Sequence, residues 1–237
     1  MPTIMLLPGL ACDAAMWRHQ LDALAPFGPV LVSDVHTRCA SLPQMAAALL
    51  AEQPGELRLC GSSMGGMLAL EVVRQAPQRV AALALLGSSA RPDTPELLKL
   101  RADAIELFEQ GRMLEVLRAN LAFAFDPQNA CKPALVQAYL DMIVRAGAQQ
   151  LIAQNRAVMA RPDSRPLLPT ITCPVLVACG ASDLLTPPEC SREMAGLIPG
   201  ARFELIGECG HMLTLEQPTR VNVLLLDWLA GLQRRRR

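Results

Sequence analysis

The sequence predicts an α/β domain: a doubly wound, six-stranded parallel sheet with a helical insertion over one edge. Three observations carry this reading. Six short apolar runs recur along the chain, and Val80 to Leu86 is apolar without alternation, as a parallel strand covered on both faces must be. Stretches with helical spacing of apolar residues lie between the runs, and strand alternating with helix is the rhythm of a sheet wound on both sides. Between Ala90 and Pro169 the rhythm changes to helical periodicity alone, after which the strand pattern resumes.

The elements follow in order. Thr3 to Leu7 reads as a buried strand stopped by Pro8-Gly9. Ala14 to Ala25 spaces Met16, Trp17, Leu21 and Leu24 as a helix would and ends before Pro26. Val30 to Val32 is the second strand, and Pro43 to Glu52 a helix with Met45, Ala46 and Leu49 on one face, closed by Pro54-Gly55. Leu57 to Gly61 is the third strand, Met64 to Gln75 the helix after it, and Val80 to Leu86 the fourth strand. Pro95 to Glu109, Arg112 to Ala124, Lys132 to Ala146 and Ala148 to Ala160 are four amphipathic helices. The expected division is a core of residues 1–90 and 170–237 and a helical lid of residues 91–169, an independent helical domain being the alternative. Val175 to Cys179 and Arg202 to Ile206 are the last strands, separated by a helix from Pro188 to Leu197. One helix from Leu213 to Leu232 closes the chain, burying Val221, Leu224, Leu225, Trp228 and Leu229.

Composition narrows the function. At 237 residues the chain can hold a substantial core, and 51% of it is hydrophobic. A formal net charge of +0 and a pI near 6.8 give no global attraction for nucleic acid or a strongly acidic partner. With 3% aromatic residues, a stacking platform for bases or sugars is not expected. No export signal and no membrane-length apolar run stands out, so a cytoplasmic protein with no membrane partner is expected. The eight cysteines form no C-x-x-C pair and no metal-ligand spacing, so reduced thiols, no metal and no organic cofactor are expected. The basic end, Gln233 to Arg237, reads as solvated. A homodimer through the last helix or the lid is open.

Right-handed crossovers gather the loops that follow successive strands at the carboxyl edge of the sheet. There Leu59-Cys60-Gly61-Ser62-Ser63-Met64-Gly65-Gly66 breaks an apolar run with a G-x-S-x-G frame at Gly61, Ser63 and Gly65. The frame puts Ser63 at a strand-to-helix turn, where a hydroxyl can project toward a base and where side chains in place of the glycines would clash. Asp183 follows the fifth strand and His211 the sixth. A serine hydrolase needs this set: a histidine to remove the serine proton and an acid to hold the imidazole in the right tautomer. Taken singly, Asp183 also reads as a loop-capping aspartate, with Asp163 a weaker substitute, and His211 as a structural histidine.

The whole chain resembles the α/β-hydrolase superfamily in Leu7-Pro8-Gly9-Leu10, Gly61 to Gly65, Gly180 to Pro187, and the segment G-E-C-G-H-M-L-T-L-E-Q-P from Gly207 to Pro218. The resemblance implies Ser63 as nucleophile, His211 as general base and then acid, Asp183 as orienting acid, and an oxyanion hole from the N–H groups of Leu10 and Met64. Two departures stand out. Pro8 occupies the place where most members have histidine, and only two residues precede the first strand, so the sheet should lack the usual N-terminal antiparallel hairpin.

Serine at the elbow argues against the aspartate-dependent and cysteine-dependent members. Small carboxylic esters, lactones or thioesters are the expected substrates; carbon-carbon bond cleavage, acyl transfer or ligand binding without turnover stay open as alternatives. Leu10, Phe108, Phe123, Phe125, Met142 and Met212 are the candidate pocket residues, and Leu107, Leu114, Leu117 and Ile143 further apolar ones. Arg91, Arg145, Arg156 and Arg161 would meet an anionic group only if the lid folds them inward.

Overall fold

The structure, a computed structural model, describes residues 1–235, so Arg236 and Arg237 of the basic end lie outside the described residues. Six strands, β1 (Thr3–Leu7), β2 (Val30–Val32), β3 (Leu57–Ser62), β4 (Val80–Leu86), β5 (Val175–Gly180) and β6 (Arg202–Ile206), form one sheet in the order β2-β1-β3-β4-β5-β6. Every pair is parallel, with Ile4 opposite both Val30 and Arg58, Leu83 opposite Val175, and Leu176 opposite Arg202. This is the six-stranded parallel sheet the apolar runs predict.

Both faces of the four central strands are dry. Ile4, Leu6, Cys60, Ala82, Ala84, Leu86, Leu176 and Ala178 point into one buried cluster, and their chain neighbours Met5, Leu7, Leu59, Leu83, Leu85, Val175 and Val177 into the other. The alternation is the strand period of two, and coverage of both faces removes any need for polar residues between. On the second face lie α2 (Leu42–Glu52), α3 (Met64–Gln75) and α8 (Pro188–Leu197). The first face is covered by α1 (Leu21–Leu24), by α9 (Leu213–Glu216) and α10 (Pro218–Arg235), and by the helical insertion. The insertion between β4 and β5 comprises α4 (Pro95–Glu109), α5 (Met113–Ala124), α6 (Pro127–Ala130) and α7 (Pro133–Met159). Gly147, at φ 78° and ψ 168°, breaks α7 where the sequence separates two helices.

Three boundaries differ from the sequence reading. Ala14 to Ala25 is not one helix: a 3₁₀ turn at Ala14–Trp17, capped by the Asp13 carboxylate, precedes the single turn of α1. Short turns let Met16 and Trp17, at 1% and 0% exposure, drop beneath the loop after β1. The final helix divides at Gln217, whose φ of −129° and ψ of 54° are non-helical because Pro218 excludes the helical conformation from the residue before it. The four residues of α6, which begin at Pro127 after an Asp126 cap, carry too little periodicity to be read from sequence.

The strand order fixes the site. From β1 the chain moves outward to β2 and then returns across β1 to β3, so the windings diverge between β1 and β3. At such a switch point the loops leaving two adjacent strands turn to opposite faces and leave a crevice at the carboxyl edge. Here those loops are Pro8 to Asp13 and the turn at Ser63.

Candidate active site

Ser63 sits at φ 53° and ψ −118°, a conformation that L residues rarely adopt and that costs on the order of 1–3 kcal/mol. Neighbours over-determine it. Its N–H donates to the Leu86 carbonyl at 2.9 Å, and its carbonyl accepts from Gly66 N–H at 2.9 Å and from the Ser88 hydroxyl at 2.8 Å. A Cβ on Gly65 would run into the Leu7 carbonyl, and one on Gly61 into the Gly65 backbone. The two glycines of the motif are therefore the condition for packing the start of α3 against the ends of β1 and β3.

The Asp183 carboxylate and the His211 ring form a buried pair, Nδ1 to Oδ2 at 2.9 Å, with side chains 0% and 8% exposed. Asp183 Oδ1 also accepts the backbone N–H groups of Leu185 and Thr186 at 2.9 Å each, while the Thr186 hydroxyl donates to Oδ2 at 2.9 Å and lies 3.2 Å from His211 Nδ1. The carboxylate thus caps its own loop and also orients the imidazole, so the two readings of Asp183 coexist. Burial favours the neutral acid, but the His211 charge and hydrogen bond, with the Thr186 bonds, outweigh it and hold Asp183 below the usual carboxylate range. Burial likewise opposes charging His211, and the Asp183 charge and hydrogen bond outweigh it, raising His211 above the usual histidine range.

The chain at the end of β4 touches both Ser63 and this pair. Leu86 and Ser88 hold the serine backbone, and a Cβ on Gly87 would lie 3.2 Å from Asp183 Oδ2 and 3.5 Å from His211 Nδ1. Asp163 instead pairs with Arg165 at 2.6 Å. No hydrogen bond joins the Ser63 hydroxyl to His211 among the described residues.

The loop after β1 passes over the serine: a Cβ on Gly9 would lie 3.4 Å from Ser63 Cβ. A turn closes it, Cys12 N–H to Gly9 carbonyl at 3.1 Å, and Ala11 takes a left-handed φ of 54°. Among the described residues, neither Leu10 N–H nor Met64 N–H has a partner, so two main-chain donors are available beside Ser63. Pro8 withholds no donor from that pair. The turn is clamped by Gln154 of α7, 1% exposed, whose Oε1 accepts Ala11 N–H at 2.6 Å and whose Nε2 donates to the His36 carbonyl at 2.9 Å. His36 Nε2 in turn lies 2.8 Å from the Cys12 carbonyl. Burial pushes the Cys12 thiol up to about 12, so it stays protonated beside the loop.

The insertion also grips the histidine loop. Glu216, 7% exposed, accepts Gly210 and Met212 N–H at 3.0 Å each, and Asp126 N–H and Asn129 Nδ2 at 2.9 Å each. His211 N–H donates to the Ala124 carbonyl at 3.0 Å, and the Ser182 hydroxyl to Asp126 Oδ2 at 2.6 Å. Gln154, Glu216, Thr186 and Asn129 were not singled out from sequence. Only Glu216 and Thr186 had a signal, each falling inside a quoted loop motif.

Of the candidate pocket residues, Phe108, Phe125, Met142 and Met212 lie in one buried cluster, and Leu10 packs against it. Phe125 meets Tyr139 edge-on at 5.2 Å. Phe123 lies outside this cluster at 50% exposure: α5 buries Leu117 and Ala124, and the helical period turns residue 123 away. Arg91, Arg145 and Arg156 pair on the surface with Glu193, Asp13 and Glu109, whereas Arg161 is buried against Asp93. A cleft of about 170 Å³ beside β2, lined by Leu31, Asp34 and Glu52 among others, includes none of the candidate site residues. Among the described residues there is no group of side chains suited to a metal ion and no helix long and apolar enough to cross a membrane.

Known proteins resemble this chain in sequence and fold. The family model described as alpha/beta hydrolase fold matches residues 44–218. The chain is 29% identical over 245 residues to a Yersinia enterocolitica protein carrying the carbamate hydrolase name RutD, covering 96% of this chain and 87% of that one. It is 27% identical over 272 residues to the pimeloyl-[acyl-carrier protein] methyl ester esterase of Aromatoleum aromaticum, covering 97% and 99%. Among solved structures, a thermophilic esterase from Thermogutta terrifontis with malate bound superimposes with a TM-score of 0.87 at 28% identity, covering 98% of this chain and 90% of that one. By its sheet, its elbow and this match over most of its length, the chain belongs to the alpha/beta hydrolase fold family.

Proposed function

We propose that this protein is a serine hydrolase that cleaves small carboxylic esters, with lactones and thioesters as related substrates, through an acyl-enzyme on Ser63. The observation that carries the reading is the buried Asp183–His211 pair, 2.9 Å between Nδ1 and Oδ2, in the loops after β5 and β6, with the strained Ser63 after β3 at the same edge of the sheet. Ester cleavage in the printed names of relatives supports it.

Asp183 fixes the proton on His211 Nδ1, leaving Nε2 as the base that takes the Ser63 proton. Ser63 attacks the carbonyl carbon, and the oxyanion lies against the N–H groups of Leu10 and Met64, the latter at the positive end of α3. His211 returns the proton to the leaving alcohol or thiol, then takes one from the water that attacks the acyl carbon and gives it to Ser63 Oγ as the acid leaves. In this reading the helices of residues 91–169 form the lid, with Phe108, Phe125, Met142 and Met212 in the apolar body around the acyl group. Eight unpaired cysteines support a reducing, cytoplasmic setting.

Turnover of p-nitrophenyl esters of increasing acyl length, by the protein and by Ser63→Ala side by side, tests the reading. Turnover with a short-chain optimum, lost by about 10⁴-fold or more in Ser63→Ala, is expected. Equal rates in the two proteins would overturn it.

A further inference from the structure

Thr186 reaches the Asp183 carboxylate twice. Its backbone N–H joins that of Leu185 on Oδ1, and its hydroxyl joins His211 Nδ1 on Oδ2, all at 2.9 Å. The N–H belongs to the turn, and any residue but proline would supply it at this position. The hydroxyl belongs to the side chain, and the turn is capped without it.

The hydroxyl also faces the imidazole. With its proton committed to Oδ2, the Thr186 oxygen lies 3.2 Å from His211 Nδ1, so the Nδ1–H has two acceptors, one charged and one neutral. Thr186 is 7% exposed, and the side chains of Asp183 and His211 are 0% and 8% exposed, so little water competes for these groups.

This sharing bears on the proton that His211 handles. A histidine acts best as base and then acid when its proton affinity lies near the working pH. Burial opposes charging His211; Asp183 and, more weakly, Glu216 of α9 favour it, and Arg101 of α4 opposes it. The thiols of Cys179 and Cys209 also feel Asp183, and burial keeps both protonated and neutral. Burial works to raise Asp183, but the His211 charge and hydrogen bond, with the N–H and hydroxyl of Thr186, overcome it. A carboxylate oxygen that satisfies a second donor binds the imidazolium less tightly than one given wholly to the ring. The Nδ1–H contact with the hydroxyl oxygen acts the other way, but it is longer and its acceptor is neutral, so the effect on the carboxylate is the larger one.

We infer that Thr186 is a positioning residue for the Ser63 reaction: its hydroxyl holds the Nδ1 edge of His211 against Asp183 while sharing Oδ2, so that the ring is fixed in place yet gives up the proton it must hand to the leaving group. This rests on the hydrolase reading and adds a residue to its machinery.

The test is the pH dependence of kcat and kcat/KM on p-nitrophenyl butyrate for the protein, Thr186→Val and Thr186→Ser. Valine keeps the branched shape and the backbone N–H and lacks only the hydroxyl. In Thr186→Val the acid limb should move up by about 0.5 pH unit, and kcat on the plateau above it should fall by about 3- to 30-fold with KM within about twofold. Thr186→Ser, which restores the hydroxyl, should bring the limb back to within about 0.2 pH unit and recover most of kcat. A residue that only held the loop would lower activity without moving the limb. If Thr186→Val is insoluble, Thr186→Cys is read in its place, and its weakly donating thiol should let the limb rise as well. A second arm needs no turnover: the His211 ring is titrated by NMR in Ser63→Ala with and without Thr186→Val or Thr186→Ser, and the same rise and return are expected. If no ester is turned over and a phosphonate fails to label Ser63, the hydrolase reading fails, whereas a His211 titration that rises with valine and returns with serine still upholds the action of the hydroxyl on the ring. A limb or a titration that stays in place or falls without the hydroxyl, or that moves as far in Thr186→Ser, overturns the inference.

Discussion

Gln154→Met removes the clamp on the loop after β1 while nearly conserving volume. Two polar groups are then stranded in a dry site: Ala11 N–H, which Gln154 Oε1 accepts at 2.6 Å, and the His36 carbonyl, to which Nε2 donates at 2.9 Å. An orphaned buried group costs about 1–3 kcal/mol, so the variant should lose about 2–4 kcal/mol of stability, since the His36 carbonyl keeps a second lone pair for other partners. The kinetic effect is separate. Ala11 is held at φ 54°, which costs a non-glycine residue about 1 kcal/mol, and without Gln154 the turn can relax toward negative φ. That relaxation would swing Leu10 N–H away from the oxyanion position. Complete loss of one oxyanion donor costs about 10²- to 10³-fold in kcat, so partial displacement should cost about 10- to 100-fold, with KM changed less than about threefold. Urea unfolding and steady-state kinetics on p-nitrophenyl butyrate measure the two effects on one preparation. A variant destabilised as stated, whose kcat stays within about twofold, would show that Gln154 holds the fold and not the reacting geometry.

Further expectations follow from the same geometry. Asp183→Asn removes the carboxylate that raises His211, so kcat should fall by about 10⁴-fold and the remaining acid limb should move to lower pH. In the unmodified protein the acid limb should lie above the usual histidine value, because turnover needs the neutral ring; an acid limb at carboxylate pH would remove His211 from the mechanism. The stability contribution of His211 runs the opposite way. It is full below the unfolded-state value and is lost as pH rises through the folded one, whereas that of Asp183 is lost as pH falls through its depressed folded value; pH-dependent urea unfolding with and without Asp183→Asn separates them. Glu216→Gln faces four N–H donors with a group that has one acceptor oxygen, and should cost about 2–3 kcal/mol in urea unfolding while lowering kcat more than it raises KM. Gly65→Ala drives a methyl into the Leu7 carbonyl and should cost about 3 kcal/mol or abolish soluble expression, whereas Gly111→Ala, with open space around it, should cost only its strain at φ 76°.

The strands were legible because a parallel sheet covered on both faces writes itself as continuous apolar runs, and the switch point between β1 and β3 follows from winding them. Ser63, Asp183 and His211 were legible for a related reason: each follows a strand directly, and short loops leave few places for a side chain to go. Gln154 and Asn129 were not, because their partners Ala11 and Glu216 become neighbours only when the insertion folds back over the sheet. Their positions look like the polar faces of ordinary amphipathic helices. Phe123 shows the converse limit, since an aromatic residue in an apolar stretch still faces outward when the helix that carries it turns Leu117 and Ala124 inward. The break at Gln217 was written in Pro218 and reflects a local steric rule acting within a longer apolar period.

The central claim, an acyl-enzyme on Ser63, is tested most directly by trapping it. The Asp183→Asn variant, slowed in deacylation, is mixed with p-nitrophenyl butyrate, quenched in acid and mapped by peptide mass spectrometry. One butyryl group on the peptide that contains Ser63, and none in Ser63→Ala/Asp183→Asn, is the predicted result. A butyryl group on another residue, or p-nitrophenol release with no acylated peptide, would contradict the account.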